Sequence, residues 1–247
     1  MPLDLKPMLI MKLGATFPEL SKTSGDFEDW IQDEIENLDY SIKVLNAKSL
    51  PRLHEPSSYI GIILTGSSAM VTDREEWSER LKPWLIKCMD QQIPILGICY
   101  GHQLLAETFG GKVENRVDGV EIGTVTITRG LASQVDVLFK HLPIAFPANT
   151  VHWQSVTNLP SNAVLLASSQ QDKHHAFRIG NRVWGVQFHP EFSEKAMSYY
   201  INEYSQIIEK EGKDSICLLK NIMPTNNAST LLKRFGEFCI SSNIHIC

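Results

Sequence analysis

The chain has 247 residues, 43% of them hydrophobic and 21% charged, and a net charge of −5, which suits a globular protein able to bury a sizeable core. It lacks the basic cluster a nucleic-acid partner would need and the run of ~18 apolar residues a membrane span would need. Asp4 and two prolines interrupt the N-terminal stretch where a signal requires a basic-then-apolar layout.

In chain order, Leu9 to Leu13 reads as a first strand and the stretch from Gly14 to Gly25, with Pro18 and several serines, as a loop. Asp26 is placed to cap a helix whose apolar positions are Phe27, Trp30, Ile31, Ile35 and Leu38. Tyr40 to Leu45 is a second strand, and the nearly continuous apolar run Tyr59 to Leu64 is a third, covered on both faces. It ends in Thr65-Gly66-Ser67-Ser68. Thr72 or Asp73 can cap the next helix, with Trp77, Leu81, Trp84, Leu85, Cys88 and Met89 inward and Pro83 expected to kink or split it. Ile93 to Ile98 is the next buried strand. The alternation so far predicts a parallel, doubly wound sheet, with Gly66 and Cys99 at strand carboxyl ends, where such sheets hold ligands.

Beyond Gly110-Gly111 the pattern turns to short alternating strands: Lys112 to Asn115, Glu121 to Thr128, Ile144 to Ala148 and Ala163 to Ser169, with a helix-like piece from Ser133 to His141. Ala176 to Ile179 and Arg182 to Phe188 form a hairpin around Gly180-Asn181. Ser193 caps a long helix that ends at Gly212, and an Asn-rich stretch leads to a last amphipathic helix from about Ser229. No repeat or linker divides the chain. One domain is expected over residues 1–247, with a core at about 8–210 and a helical extension at about 213–247.

The junction Gly97-Ile98-Cys99-Tyr100-Gly101 carries the chemistry. A cysteine between an apolar strand and a helix, with glycine two residues to either side, has the layout of a nucleophile elbow. The helix N-terminus would favour a thiolate there. A buried cysteine beside two loop glycines is the other reading. The remaining cysteines, Cys88, Cys217, Cys239 and Cys247, form no CxxC pair. Neither a disulfide framework nor a zinc site is expected, and a reducing cytoplasm fits best. A thiol with pKa ~8.5 needs a base to be reactive at neutral pH. Among the eight histidines, His189 follows a buried-looking strand and is joined through Pro190 to Glu191. Glu191 could orient the imidazole; a strand-end histidine with a helix-capping acid is the alternative.

Together these residues resemble the class I (triad-type) glutamine amidotransferases. Gly97-Ile98-Cys99-Tyr100-Gly101-His102-Gln103 matches the family's nucleophile motif, and Val186-Gln187-Phe188-His189-Pro190-Glu191 its His-Pro-Glu motif. Gly25 to Trp30 and Val151-His152-Trp153 look like the stand-alone branch related to the amidotransferase domain of GMP synthetase. The resemblance implies a flavodoxin-like α/β fold with a mixed, mainly parallel sheet flanked by helices. It implies a Cys99–His189–Glu191 triad that hydrolyses the glutamine side-chain amide through a γ-glutamyl thioester, without a cofactor or metal. Backbone N–H groups at Gly66 and Tyr100 would form the oxyanion hole, and Gln103 with Val151, His152, Trp153 and Gln154 would bind substrate. The sequence departs from the family at Gly66-Ser67-Ser68-Ala69, where many members carry a second glycine and a proline, and at Gln154, where a relative often has aspartate.

With no pyrophosphatase-type Ser-Gly-Gly loop for ATP, ammonia would go to a separate synthase subunit. The chain could instead act alone as a γ-glutamyl peptidase or hydrolase. A non-catalytic regulatory subunit is a third reading, opposed by the intact Cys99, His189 and Glu191. Proteins with glutamate before the elbow cysteine are a fourth, opposed by a glycine at position 97. Glu121 is expected to be structural, and His102 solvated or packed. His174-His175 has no acidic or cysteine partner at metal spacing.

Overall fold

The computed structural model describes residues 6–35 and 40–244; Leu38 of the first expected helix and Cys247 lie outside them. The apolar runs become central strands because helices cover them on both faces. β1 (Met8–Lys12), β3 (Ile62–Leu64) and β4 (Ile95–Ile98) are buried almost throughout. With β2 (Ile42–Asn46) and β11 (Val183–Val186) they form a parallel block ordered β2-β1-β3-β4-β11. The same sheet continues through β10 (Ala176–Ile179), β9 (Ala163–Ser168), β6 (Glu121–Arg129) and β7 (Ala145–His152), all paired antiparallel. Only β10 and β6 run against the majority, so the sheet is mixed and mainly parallel, as expected. A two-stranded ribbon pairs β5 (Lys112–Asn115) with β8 (Gln154–Asn158).

Strand residues alternate between two cores. Met8, Ile10, Ile63, Leu96 and Ile98 face α2 (Phe27–Ile35) and α8 (Asn226–Ile244), which contribute Ile31, Ile35, Leu231, Phe235 and Cys239. Leu9, Met11, Ile62, Leu64 and Ile95 face α3 (Glu76–Asp90) and α4 (Tyr100–Thr108), through Trp77, Leu81, Trp84, Leu85, Cys88, Leu104 and Leu105. The C-terminal helix is therefore part of the main core. No helix among the described residues is long and apolar enough to cross a membrane.

Several local expectations change. The stretch read as loop contains α1 (Pro18–Ser24), started by Pro18 with its preset φ and by Glu19 in the first turn. Pro83 neither splits nor ends α3, because buried Trp77, Leu81, Trp84, Leu85 and Cys88 anchor the helix on both sides of it. That burial offsets a proline penalty of about 3 kcal/mol. Thr72 and Asp73 belong to a separate 3-10 turn, and α3 starts after Glu75 without a side-chain cap. Only a 3-10 turn, Leu131–Gln134, forms in the helix-like piece. Just beyond it, Asp136 Oδ1 accepts from the Leu138 and Phe139 amides and holds the chain in a turn. Ser193 does cap its helix, but α5 (Glu194–Glu203) breaks at Tyr204 before α6 (Ser205–Lys210). A further helix, α7 (Ser215–Lys220), is capped by Asp214.

Candidate active site

The turn between β4 and α4 puts Cys99 at φ 50°, ψ −100°. A non-glycine residue held there stores roughly 1–3 kcal/mol of strain. The flanking glycines make the turn feasible. A Cβ on Gly97 would lie 2.5 Å from the Gly101 backbone, and one on Gly101 would lie 2.7 Å from Leu64 Cβ. α4 therefore sits directly on β3 and β4, with Cys99 at its first turn. Cys99 is 7% exposed, and its Sγ lies 3.7 Å from the Val151 carbonyl oxygen.

His189 arrives just past β11, where its amide donates to the Asn149 carbonyl at 2.8 Å. Its Nδ1 lies 2.8 Å from Glu191 Oε1, and both side chains are buried. Phe192, with its centroid at 4.0 Å, and Phe27, at 6.1 Å, stack on the ring. Nε2 is buried without a hydrogen-bond partner, and Cys99 is among the groups acting on the ring. Burial opposes a charged imidazole, but the charges of Glu191 and Cys99, with the Glu191 hydrogen bond, outweigh it and push the His189 pKa up to about 10. Gly66 lies behind this ring; a Cβ there would be 3.0 Å from His189 Cε1.

A cavity of about 250 Å³ opens on Cys99 and His189. Gln103, Gln154 and Val151 are among the residues that line it. Gln103 Nε2 donates to the Gln154 carbonyl at 2.7 Å and to Gln187 Oε1 at 3.0 Å. Gln154 Nε2 donates to Thr72 Oγ1 at 2.6 Å and Asn115 Oδ1 at 2.8 Å, while its buried Oε1 has no partner. The Tyr100 ring stacks on Trp77 and its hydroxyl donates to Ser78 Oγ at 2.9 Å. The Tyr100 side chain is thus engaged in the core, while the residue borders the cavity. Gly66 itself does not line the space; Ser67 to Met70 do. Trp153 lines it and packs edge-on against Tyr204 at 4.8 Å.

His152 is the expected site residue whose ring points elsewhere. Its Nε2 lies 2.8 Å from Glu121 Oε2 and its Nδ1 2.8 Å from the Gln154 carbonyl. The same Glu121 oxygen lies 3.1 Å from His175 Nε2, so His175 has the acidic partner that its local sequence does not reveal. Ser169 Oγ donates to the other oxygen at 2.8 Å. Arg116 Nη1 stands 3.8 Å from both Glu121 and Asp172. Burial disfavours ionisation of Glu121, but the bonds from the two histidines prevail and hold it well below the usual carboxylate range. Ligand-type atoms of Glu121, His152, Asp172 and His175 lie within 4.8 Å of one another. The histidine–Glu121 distances are nonetheless shorter than the ~3.3 Å between neighbouring ligands of a tetrahedral zinc ion, and Arg116 already supplies positive charge. The group is a hydrogen-bonded brace beneath the β7–β8 bend. His102 is fully buried against Phe177, and desolvation lowers its pKa to about 3 despite the nearby Asp172 charge.

Known proteins share this architecture. The family model described as "Glutamine amidotransferase class-I" matches residues 23–206. "Gamma-glutamyl peptidase 4" of Arabidopsis thaliana is 30% identical over 169 residues, 68% of this chain and 66% of that protein. A glutamine-hydrolyzing GMP synthase subunit of Methanococcus vannielii is 31% identical over 173 residues, 68% of this chain and 84% of that protein. The crystal structure of a glutamine amidotransferase from Thermotoga maritima superposes with a TM-score of 0.73 at 22% identity, covering 95% of this chain and 98% of that one.

Proposed function

The chain belongs to the class-I glutamine amidotransferase family, and on that premise we propose that it hydrolyses a γ-glutamyl amide, with glutamine the simplest substrate, through a thioester on Cys99. One observation carries the reading. His189 is oriented by Glu191 through Nδ1, while its buried Nε2 has no hydrogen-bond partner beside a cysteine held on a strained elbow.

His189 takes the Cys99 proton, and the sulfur attacks the γ-carbonyl carbon. Backbone N–H groups at Tyr100 and in the Gly66 loop receive the developing oxyanion; such a donor is typically worth about 3 kcal/mol in the transition state. His189 then returns the proton to the leaving nitrogen as the C–N bond breaks. A water, deprotonated by His189, cleaves the C–S bond and releases glutamate. Gln103 and the backbone from Val151 to Gln154 hold the substrate's α-amino and carboxylate groups. Glu191 keeps the imidazole in one tautomer throughout.

The relative named as a GMP synthase subunit supports delivery of ammonia to a separate synthase partner. A second reading, hydrolysis without a partner, is favoured by the aromatic wall beside His189 and by the relative named γ-glutamyl peptidase. Glutamate release from glutamine by the purified chain, with Cys99→Ala as the zero, tests the core proposal. Activity retained by that variant would contradict it. Stimulation by a captured synthase would select the first reading, and full activity alone the second.

A further inference from the structure

We infer that the half of the cavity beside His189 is a subsite for an uncharged aromatic amine, so that the preferred substrate is a γ-glutamyl arylalkyl amide. The inference rests on the γ-glutamyl amide reading above and names its leaving group.

The position follows from the chemistry. Whatever leaves as an amine must receive its proton from His189 and so must lie on that ring's side of Cys99. There the lining is aromatic. Phe27 stacks on His189 at 6.1 Å, and Phe17 packs edge-on against Tyr200 at 5.1 Å and Tyr204 at 5.4 Å. Trp153 closes the row on Tyr204. The polar part of the lining, Gln103 and Gln154 with the Val151 carbonyl beside Cys99 Sγ, is where the glutamyl part would sit. Ammonia, about as large as a water of ~30 Å³, needs no such wall in a cavity of about 250 Å³.

The wall also says what the amine lacks. Among the described residues lining the cavity there is no Asp, Glu, Lys or Arg. The hydroxyls of Thr16 and Tyr200 bond each other at 2.9 Å. The His189 charge is already matched by Glu191, so a carboxylate or a second ammonium on the leaving group would be desolvated without a counter-charge of its own, whereas a ring would meet ring faces and edges. The reaction balances without a co-reactant. The C–S bond forms, the C–N bond breaks, the His189 proton goes to the amine nitrogen, and water later restores the thiol.

The test compares glutamate release from γ-glutamyl-ethylamide, γ-glutamyl-benzylamide and glutamine by the full chain. Burial of a phenyl group predicts kcat/KM at least ~10-fold higher for the benzylamide than for the ethylamide. Phe17→Ala and Tyr204→Ala should each bring that ratio towards one. Adding a carboxylate, as in γ-glutamyl-phenylalanine against γ-glutamyl-phenethylamide, should cost at least ~10-fold. A benzylamide no better than the ethylamide, or worse than glutamine, overturns the subsite while leaving γ-glutamyl amide hydrolysis standing. Silence on all three substrates overturns that reading and the subsite with it. The substrate ratio on the unaltered chain decides even if a variant fails to fold.

Discussion

Among the described residues, two buried histidine–glutamate pairs share the same 2.8 Å contact, His189–Glu191 and His152–Glu121. In the first, one imidazole nitrogen meets the carboxylate and the other is left without a partner next to Cys99. In the second, both nitrogens are engaged, one by Glu121 and one by the Gln154 carbonyl. The first ring can move a proton to and from a reacting atom. The second can only hold two chain segments together. Pair chemistry and burial are alike, so the free nitrogen and the adjoining cavity separate a proton-transfer device from a brace.

The comparison can be broken most severely at the cysteine. Cys99→Ala should lower glutamate release by at least ~10⁴-fold, the scale seen when a triad nucleophile is lost, with the circular dichroism spectrum unchanged. Next comes Glu191→Gln, expected to cut kcat/KM by ~10²–10⁴-fold. It should also shift the pH profile. In the unaltered chain the imidazolium persists until pH rises through about 10. Loss of the carboxylate charge should lower that basic limb by about 1–3 units. The same linkage acts on stability. The His189 pKa is raised above its ordinary 6.5, so the pair's contribution is complete below about 6.5 and is lost as pH rises through about 10. Thermal melts across that window should show the decline, and Glu191→Gln should flatten it.

At the brace the effect should fall on folding. Glu121→Gln removes the charge facing two histidines and Arg116, and should cost about 3–5 kcal/mol in urea unfolding. Any activity loss in the folded fraction should appear in KM more than in kcat, because the β7–β8 bend carries the backbone proposed to bind substrate. A kcat loss as deep as that of Glu191→Gln, without lost stability, would erase the distinction between the pairs. The mildest change is Gly66→Ala. Its Cβ would meet His189 Cε1 at 3.0 Å and should displace the ring enough to lower kcat roughly 10-fold, with unfolding nearly unaffected.

The two pairs also differ in how far the sequence reveals them. His189 and Glu191 are two residues apart beside a readable strand, and Cys99 lies between glycines whose spacing implies its turn. Local chemistry singles out both as candidates, and the resemblance to the amidotransferase family joins them. Glu121 meets partners 31 and 54 residues away, so the brace exists only once β6, β7 and the approach to β10 are side by side. The aromatic wall is dispersed in the same way, with Phe17 before α1 and Tyr200 and Tyr204 at α5 and its end. Pro18 reads locally as a loop breaker yet starts a helix, and Pro83 reads as a break although packed tryptophans hold α3 together. In each case tertiary packing outweighs a local signal. The parallel strands, buried on both faces, are legible because their apolar runs are continuous.

The central claim is that Cys99 carries the γ-glutamyl group during turnover. Acid-quenching the chain during turnover of glutamine or a γ-glutamyl amide, followed by mass spectrometry of its peptides, tests this directly. The predicted result is a γ-glutamyl adduct on the Cys99 peptide that is absent from Cys99→Ala. The adduct should accumulate in His189→Asn loaded with an activated γ-glutamyl ester, because that variant cannot activate the water. Continued glutamate release with no adduct on Cys99, or with the adduct on another residue, would contradict it.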